Sequence, residues 1–490
     1  MKQHNITHRW LSPLVFLINI IIFYVTAQPL LGDSDVPWHL ATGKLLLATH
    51  HLPATDPWSF TAQGAPWYNL SWAWDALLGA VEHVAGAFGV LIFVLSLCAA
   101  LPAALAARLL SLRIAPPAVF FTVMLASLCL LDFITARPHL AGYVLALAFH
   151  AILHRSRNDA RYGRLLWLPP LMIVWANMHG SFIAGFTIIG AYVIEAFFTR
   201  RHDWLRRLII ITLACAIAAL INPYGPDIFF GALRTLGGHA KTYTIEWLPY
   251  AFTISAGVSA WLMIFILASN VRGANAFIAD KILAVGWLIA TMFVMRNGAL
   301  FILLSAPYLA TCLDEQTRGL RQMRPPSPVA AFLNRQSLHH LWLACAAAFA
   351  LCIAVANALP HADKILPQEE SVGDAVDFSL QHYPSRRFLT DFNFSGQIVY
   401  FTDGKLPVFI DSRAGTAYPE QIILDYLDFL WQRPGWQDKM TAYGVNAILI
   451  GNQSNFAQSY GQGRNQDAWQ LVFAGKRANV YIARPLNHLQ

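Results

Sequence analysis

The sequence predicts a mainly α protein: a polytopic transmembrane helical bundle of about eleven spans, followed by a soluble mixed α/β domain. Three observations carry this. Of the 490 residues, 56% are hydrophobic and only 12% are charged, whereas a soluble globular protein has about 25% charged residues. Apolar runs long enough to cross a hydrocarbon core of about 30 Å recur along the chain, with short polar joints between them. From about residue 360 on, short β-branched and aromatic runs replace the long apolar ones.

Lys2 and Arg9 precede the first run, 11–31. A cleavable signal peptide ending at Val25-Thr26-Ala27 is the alternative reading of that segment. Residues 32–72 form a polar loop rich in Trp and Tyr, which favour the membrane–water interface. Within it, 36–50 reads as a short helix with Asp35 as N-cap and Pro37 in the first turn. A turn follows at 51–57. Further spans are expected near 87–107, 117–134, 139–153, 165–178, 181–198, 208–222, 252–269, 279–295, 298–313 and 339–359. Lys and Arg total 18 in one set of alternate joints and 5 in the other, so the first set is expected in the cytoplasm. An odd number of spans then puts the N-terminus in the cytoplasm and the C-terminal domain outside. The expected division is 1–359, a transmembrane domain, and 360–490, an extracytoplasmic α/β domain. In the latter, 386–392, 397–402, 407–411, 445–451, 469–474 and 478–483 read as strands, and 419–431 and 435–443 as helices.

The net charge of +7 does not imply nucleic acid, because the arginines sit in short joints between apolar runs. The six cysteines lie inside apolar runs with no metal-ligand spacing. They read as small buried apolar residues.

The unusual polar residues gather on the outer side. Asp33, Asp35 and His39 open the first loop, which also holds Asp56. Arg137 and His139 lie at the next outer joint, Asn177 and His179 at the third. Asn222 opens the fourth, which contains Glu246, and Arg296 is at the fifth. Charges at membrane depth are costly without partners or a cavity, so the set predicts one outward-facing pocket. Each member also has a structural reading. Asp35 caps a helix, Asp33 is a solvated loop acid, and Arg137 and Arg296 are snorkelling anchors. His179 sits in a turn, Asn222 in a helix stop, and Glu246 pairs with Lys241.

An acid pair beside water can act as general base or hold a divalent cation such as Mg or Mn. Arg and His can bind a phosphate, Arg bidentately. A cavity open to lipid admits a long-chain phosphate whose tail stays in the bilayer. These parts describe sugar transfer from a lipid-phosphate donor to an extracytoplasmic glycan, lipid or protein.

The chain resembles the GT-C glycosyltransferase superfamily, which includes protein mannosyltransferases, oligosaccharyltransferases and aminoarabinose transferases. It looks most like the large bacterial set of GT-C-like membrane proteins. The matching residues are Asp33-Ser34-Asp35 with Trp38-His39, Pro53 with Asp56-Pro57-Trp58-Ser59-Phe60-Thr61, Arg137-Pro138-His139, Trp175-Ala176-Asn177-Met178-His179-Gly180, Asn222-Pro223-Tyr224-Gly225, Glu246-Trp247 and Val408-Phe409-Ile410-Asp411-Ser412-Arg413. The resemblance covers nearly the whole chain. It implies a bacterial inner-membrane enzyme moving a hexose or pentose from a polyprenyl-phosphate carrier. It also implies that the catalytic carboxylate is the first-loop Asp35 or Asp33. The C-terminal domain lacks the Trp-Trp-Asp signature of oligosaccharyltransferases, which points to acceptors other than sequon asparagines. The competing readings are a flippase for lipid-linked sugars, which predicts paired half-repeats, and a non-catalytic scaffold for envelope polysaccharide assembly.

Overall fold

The computed structural model describes residues 11–26, 33–157, 163–237, 245–250, 255–269, 276–322 and 372–484. In chain order the helices are α1 (Leu11–Thr26), α2 (Val36–Thr49), α3 (Trp72–Ser111), α4 (Pro116–Cys129), α5 (His139–Ser156), α6 (Leu168–Met178), α7 (Ile183–Phe198), α8 (His202–Ala219), α9 (Asp227–Gly237), α10 (Ala256–Ser269), α11 (Ile278–Phe293) and α12 (Gly298–Gln322). There follow α13 (Gly373–His382), β1 (Phe388–Thr390), α14 (Ser395–Thr402), the short α15 (Ala414–Ala417), α16 (Glu420–Leu430), α17 (Trp436–Ala442), β2 (Ala447–Gly451), α18 (Asn455–Gly461), β3 (Trp469–Ala474) and β4 (Ala478–Ala483). The apolar run 339–359 lies outside the described residues, as does Lys241.

Contacts divide the chain into two compact units. One comprises Met1–Gln28, Leu91–Ala232 and Thr244–Ala362; the other comprises Pro29–Val90, Leu233–Tyr243 and Asp363–Gln490. The first loop therefore groups with the C-terminal α/β domain.

The first unit is helical. Among the described residues, Trp72–Ser111, Gly180–Phe198 and Met295–Arg318 are long and apolar enough to cross a membrane, and Leu11–Val25, Pro116–Cys129, Leu165–Met178 and Ala256–Ser269 are shorter apolar helices; Trp72–Ser111 breaks at Gly86 (φ 66°), and its residues up to Val90 belong to the second unit. α11 packs on α12, α6 and α7 on α8, and α4 on α12. Large apolar side chains such as Leu17, Phe121, Leu213, Ile217, Leu267 and Phe293 are about half or more exposed. A soluble monomer does not carry apolar surface on that scale, and lipid is its natural solvent. Cys98, Cys129, Cys215 and Cys312 are buried and free.

The second unit has a four-stranded sheet of order β1-β2-β4-β3. β1 and β2 are parallel, and β4 is antiparallel to both of its neighbours. The expected strand at 397–402 is instead helix α14. Its β-branched and aromatic residues favour a strand locally, but Ser395, Ile398, Val399 and Thr402 are buried, a helical spacing. That face packs on α2, so tertiary packing overrides propensity. Gly396 permits the approach, since a Cβ there would meet the Ser34 carbonyl at 2.7 Å. The expected strand at 407–411 makes only an isolated parallel bridge, Ser59 to Val408. Around it, Phe60 N donates to Val408 O, Val408 N to Trp58 O, and the Thr61 hydroxyl to Phe409 O. Trp38, Trp58 and Trp67 thereby join one core with Phe388, Val408 and Phe409.

Candidate functional site

The first-unit candidates converge on a cluster of two arginines and one carboxylate. Arg137, just before α5, reaches both Glu246 oxygens at 3.4 Å. Arg296, in the 3-10 turn before α12, donates to Glu246 Oε1 at 2.9 Å and lies 5.3 Å from the Trp247 ring. Among the described residues Glu246 pairs with these two arginines; the expected partner Lys241 lies outside them. Burial opposes ionisation of Glu246, but Arg296 and Arg137 outweigh it and hold the carboxyl below its ordinary value. Two guanidinium groups thus meet one carboxylate. The side chains keep some exposure, at 17% for Arg137, 24% for Arg296 and 34% for Glu246.

Two imidazoles stand in the same unit. His139, at the start of α5, donates from Nε2 to Phe133 O at 2.8 Å, if that nitrogen carries the hydrogen. His179 follows α6, and its Nδ1 accepts from Ser181 N at 3.2 Å. Ser181 Oγ accepts from Trp175 Nε1 at 3.1 Å and donates to the same Nδ1 at 2.7 Å. This relay places the His179 hydrogen on Nε2, making that nitrogen a donor. The two rings lie edge to face, 6.5 Å apart. Gly142 makes room for the relay, because a Cβ there would meet Ser181 Oγ at 2.5 Å.

Asn177 and Asn222 serve the backbone. Asn177 Nδ2 bonds the carbonyls of Ile173 and Ile221, each at 2.8 Å. Asn222 bonds Ala219 O and Gly225 O and accepts from Tyr224 N, closing the turn after α8.

Asp33, Asp35, His39 and Asp56 belong to the second unit. Asp33 Oδ1 accepts from Asp35 N at 2.9 Å. Asp35 occupies the N-cap position of α2 but makes no side-chain cap bond, and it is 8% exposed. His39, one turn on, is buried, with Nδ1 2.5 Å from Asp75 Oδ1. Asp75 also accepts from Asn69 Nδ2 at 2.6 Å. This carboxylate–imidazole pair depends on Gly43 and Gly79, where α2 and α3 touch backbone to backbone. A Cβ on Gly43 would lie 2.8 Å from Gly79 Cα.

The expectation that Asp56 lines the pocket meets a buried ion pair instead. Asp56 Oδ1 lies 2.7 Å from Arg413 Nη2, and Oδ2 accepts from Ser59 N and Ser59 Oγ. Asp411 accepts from the Nε–Nη2 edge of that guanidinium, Nε at 2.9 Å and Nη2 at 2.6 Å, so the two acids share Nη2. Trp58 and Trp67 each lie 4.6 Å from it. All three charged side chains are fully buried. Two motifs that the sequence shows far apart are thus halves of one structural clamp.

Among the described residues, no group of three or more His, Cys, Asp or Glu side chains is placed to hold a metal ion. Asp33 and Asp35 offer two carboxylates, one of them engaged by a backbone N–H; a Mg²⁺ or Mn²⁺ held there would complete its shell with water and substrate phosphate oxygens.

Asp75, Asn69 and Ser181 are the site and support residues that sequence reasoning did not single out as such. Asp75 carried a signal, a carboxylate at the mouth of a long apolar run.

The sequence matches no family model and no curated protein. Solved structures do match. Archaeal oligosaccharyltransferase AglB from Archaeoglobus fulgidus, in complex with an inhibitory peptide and a dolichol-phosphate, aligns with TM-score 0.63 at 11% identity, over 99% of this chain and 75% of that one. The Archaeoglobus fulgidus enzyme tethered to an acceptor peptide containing the NVT sequon aligns with TM-score 0.61 at 12% identity, over 98% of this chain and 75% of that one. Its apo form aligns with TM-score 0.63 at 11% identity over the same shares. The chain shares their fold. At this identity the likeness speaks for architecture, and chemistry has to be argued from side chains.

Proposed function

We propose that this chain is a GT-C-type membrane glycosyltransferase that moves a sugar from a polyprenyl-phosphate-linked donor to an extracytoplasmic acceptor. The observation that carries the reading is the Arg137–Glu246–Arg296 cluster, two partly exposed guanidinium groups side by side, in a fold shared with an enzyme solved with dolichol-phosphate. In the proposed setting the chain crosses a bacterial inner membrane about eleven times, N-terminus inside and C-terminal domain outside, as the Lys/Arg asymmetry suggests. The acceptor is a glycan, lipid or protein other than a sequon asparagine, since the Trp-Trp-Asp signature is missing from the sequence.

In the proposed reaction an acceptor hydroxyl attacks the anomeric carbon of the donor. The bond from that carbon to the phosphate oxygen breaks, and the lipid phosphate leaves with the electron pair. Asp35 takes the hydroxyl proton as general base, with Asp33 steadying its backbone. Arg137 and Arg296 bind the donor phosphate and stabilise the charge it gains on departure. His179 supplies a further N–H donor from Nε2, and His139, whose Nε2–H is held by Phe133 O, donates from Nδ1 as the imidazolium. No step is routed through a metal ion.

The test supplies labelled polyprenyl-phosphate sugars to membranes carrying wild-type or Asp35→Asn protein. Asn keeps the size and caps a helix about as well as Asp, so the variant should insert and bind donor normally. Losing a general base should slow transfer by about 10²–10⁴. Full transfer by Asp35→Asn would remove Asp35 from the chemistry. Labelled lipid crossing the bilayer without any transfer would favour a flippase.

A further inference from the structure

The proposed donor site holds one charged group that the reaction does not use. Glu246 sits between Arg137 and Arg296. Arg296 Nη1 donates to Oε1 at 2.9 Å, within the range of a charge-assisted bond. Arg137 addresses both carboxylate oxygens, Nη1 to Oε2 and Nη2 to Oε1, but at 3.4 Å each. Charge-assisted bonds of this kind are about 2.7–2.9 Å long, so Arg137 faces the carboxylate as a bidentate partner with a gap of about half an ångström left over. A phosphate group is larger than a carboxylate and would close that gap between the same two guanidinium groups.

The carboxylate is also the partner that can leave. The Glu246 side chain is 34% exposed, against 17% for Arg137 and 24% for Arg296. Water already reaches it, so its release costs less than the release of a dry acid. Its backbone need not move. The 3-10 turn Ile245–Trp247 is tied to the joint before α12 by Met295 N, which donates to Leu248 O at 3.1 Å, and by Arg296, 5.3 Å from the Trp247 ring. Neither contact involves the carboxylate, so rotation about the side-chain bonds of Glu246 takes it out.

We propose that Glu246 is a stand-in for the donor phosphate: its carboxylate occupies the seat between Arg137 and Arg296 that the lipid-linked phosphate takes on binding. The inference rests on the transferase reading, in which those arginines hold that phosphate. Its consequence falls at the end of the reaction. The donor phosphate is a diester with one negative charge, whereas the departing lipid phosphate is a monoester with a charge of about −1.5 to −2. The monoester grips two guanidinium groups harder, and the returning Glu246 carboxylate competes for them and weakens that hold. Removing the carboxylate should therefore tighten phosphate binding, where removing a brace would loosen it.

The test uses the full chain in a phosphate-free, non-ionic detergent. Tm is followed as farnesyl phosphate, a short polyprenyl monoester, is added, with farnesol as the reference without phosphate. Farnesyl phosphate should raise Tm saturably and farnesol should not. Arg296→Ala should need about tenfold more ligand, having lost one charge-assisted hydrogen bond. Glu246→Gln keeps the shape but cannot compete as an anion, and should need about tenfold less. Asp227→Asn removes an exposed acid of the same unit and should leave the midpoint in place. If farnesyl phosphate does no more than farnesol in both wild type and Glu246→Gln, the phosphate reading of the arginines falls, and this inference with it. If it binds and Arg296→Ala weakens it, while Glu246→Gln leaves the midpoint unchanged or raises it, the stand-in alone is overturned. Equal tightening by Asp227→Asn would reduce Glu246 to a general charge effect and overturn it too. Should Glu246→Gln fail to fold, Glu246→Asp keeps the charge but shortens its reach. A lowered midpoint then supports the proposal, and an unchanged one overturns it.

Discussion

At Glu246 two arginines share one carboxylate, and the sign of its pH dependence follows. The carboxyl is held below its ordinary value of 4.5 in the folded chain. Its pairing therefore stabilises the fold fully above the unfolded value, and that contribution is lost as pH falls through the lower folded one. We expect Tm of wild type to exceed that of Glu246→Gln at pH 7, with the gap closing below about pH 4. Melts of both proteins across that range check it, and a constant gap would count against the ion pairing. Arg413 gives a sharper case. Replacing it by Leu leaves Asp56 and Asp411 facing each other in a dry core. Removing one partner of a buried ion pair costs about 3–5 kcal/mol. Arg413→Leu should therefore expose sites in the first loop to limited proteolysis, and wild-type resistance would refute the clamp. Neither arrangement was legible in the sequence as such. Asp56 and Arg413 stand out individually, but their partnership is closed by packing between distant segments.

At the scale of elements, helices destined for lipid are the easiest to read. Their whole circumference is apolar, so composition alone marks them, and the expected runs within the described residues are helical. The short α2 was equally legible, because Asp35 and Pro37 mark its start; His50, with φ 56°, closes it. α14 was misread because Ile398, Val399 and Tyr400 favour a strand, and only the α2 surface selects the helix. The α2–α3 crossing was hidden for a similar reason. Gly43 and Gly79 look like ordinary helix glycines until their backbones are seen in contact. Gly43→Ala forces those helices apart and should cost about 1–3 kcal/mol or more. It should also disturb the His39–Asp75 pair. Gly190→Ala, with nothing near its added methyl, is the control, and equal Tm values for the two variants would argue against the close crossing.

At the scale of the whole molecule, the Lys/Arg asymmetry makes a directional statement that fusion proteins can check. A reporter active only in the cytoplasm, joined after Gln490, should stay dark, whereas an export-dependent reporter at the same place should be active. A bright cytoplasmic reporter would invert the proposed sidedness and the transferase setting with it. The residue classes of the site were readable from sequence, because charge next to lipid is conspicuous. Their division between two compact units was not, since grouping the first loop with the C-terminal domain depends on contacts across most of the chain.

That grouping sets a timetable for synthesis. The Thr61 hydroxyl finds its acceptor, the Phe409 carbonyl, 348 positions downstream. Elongation at about 5–20 residues per second means roughly 20–70 seconds between the emergence of the two. For that interval Trp58 and Trp67 lack their Arg413 neighbour, and Asp56 is an anion in search of a cation. The nascent loop is thus a client for whatever shields apolar segments during membrane insertion, and a ribosome stalled before codon 413 leaves it unfinished.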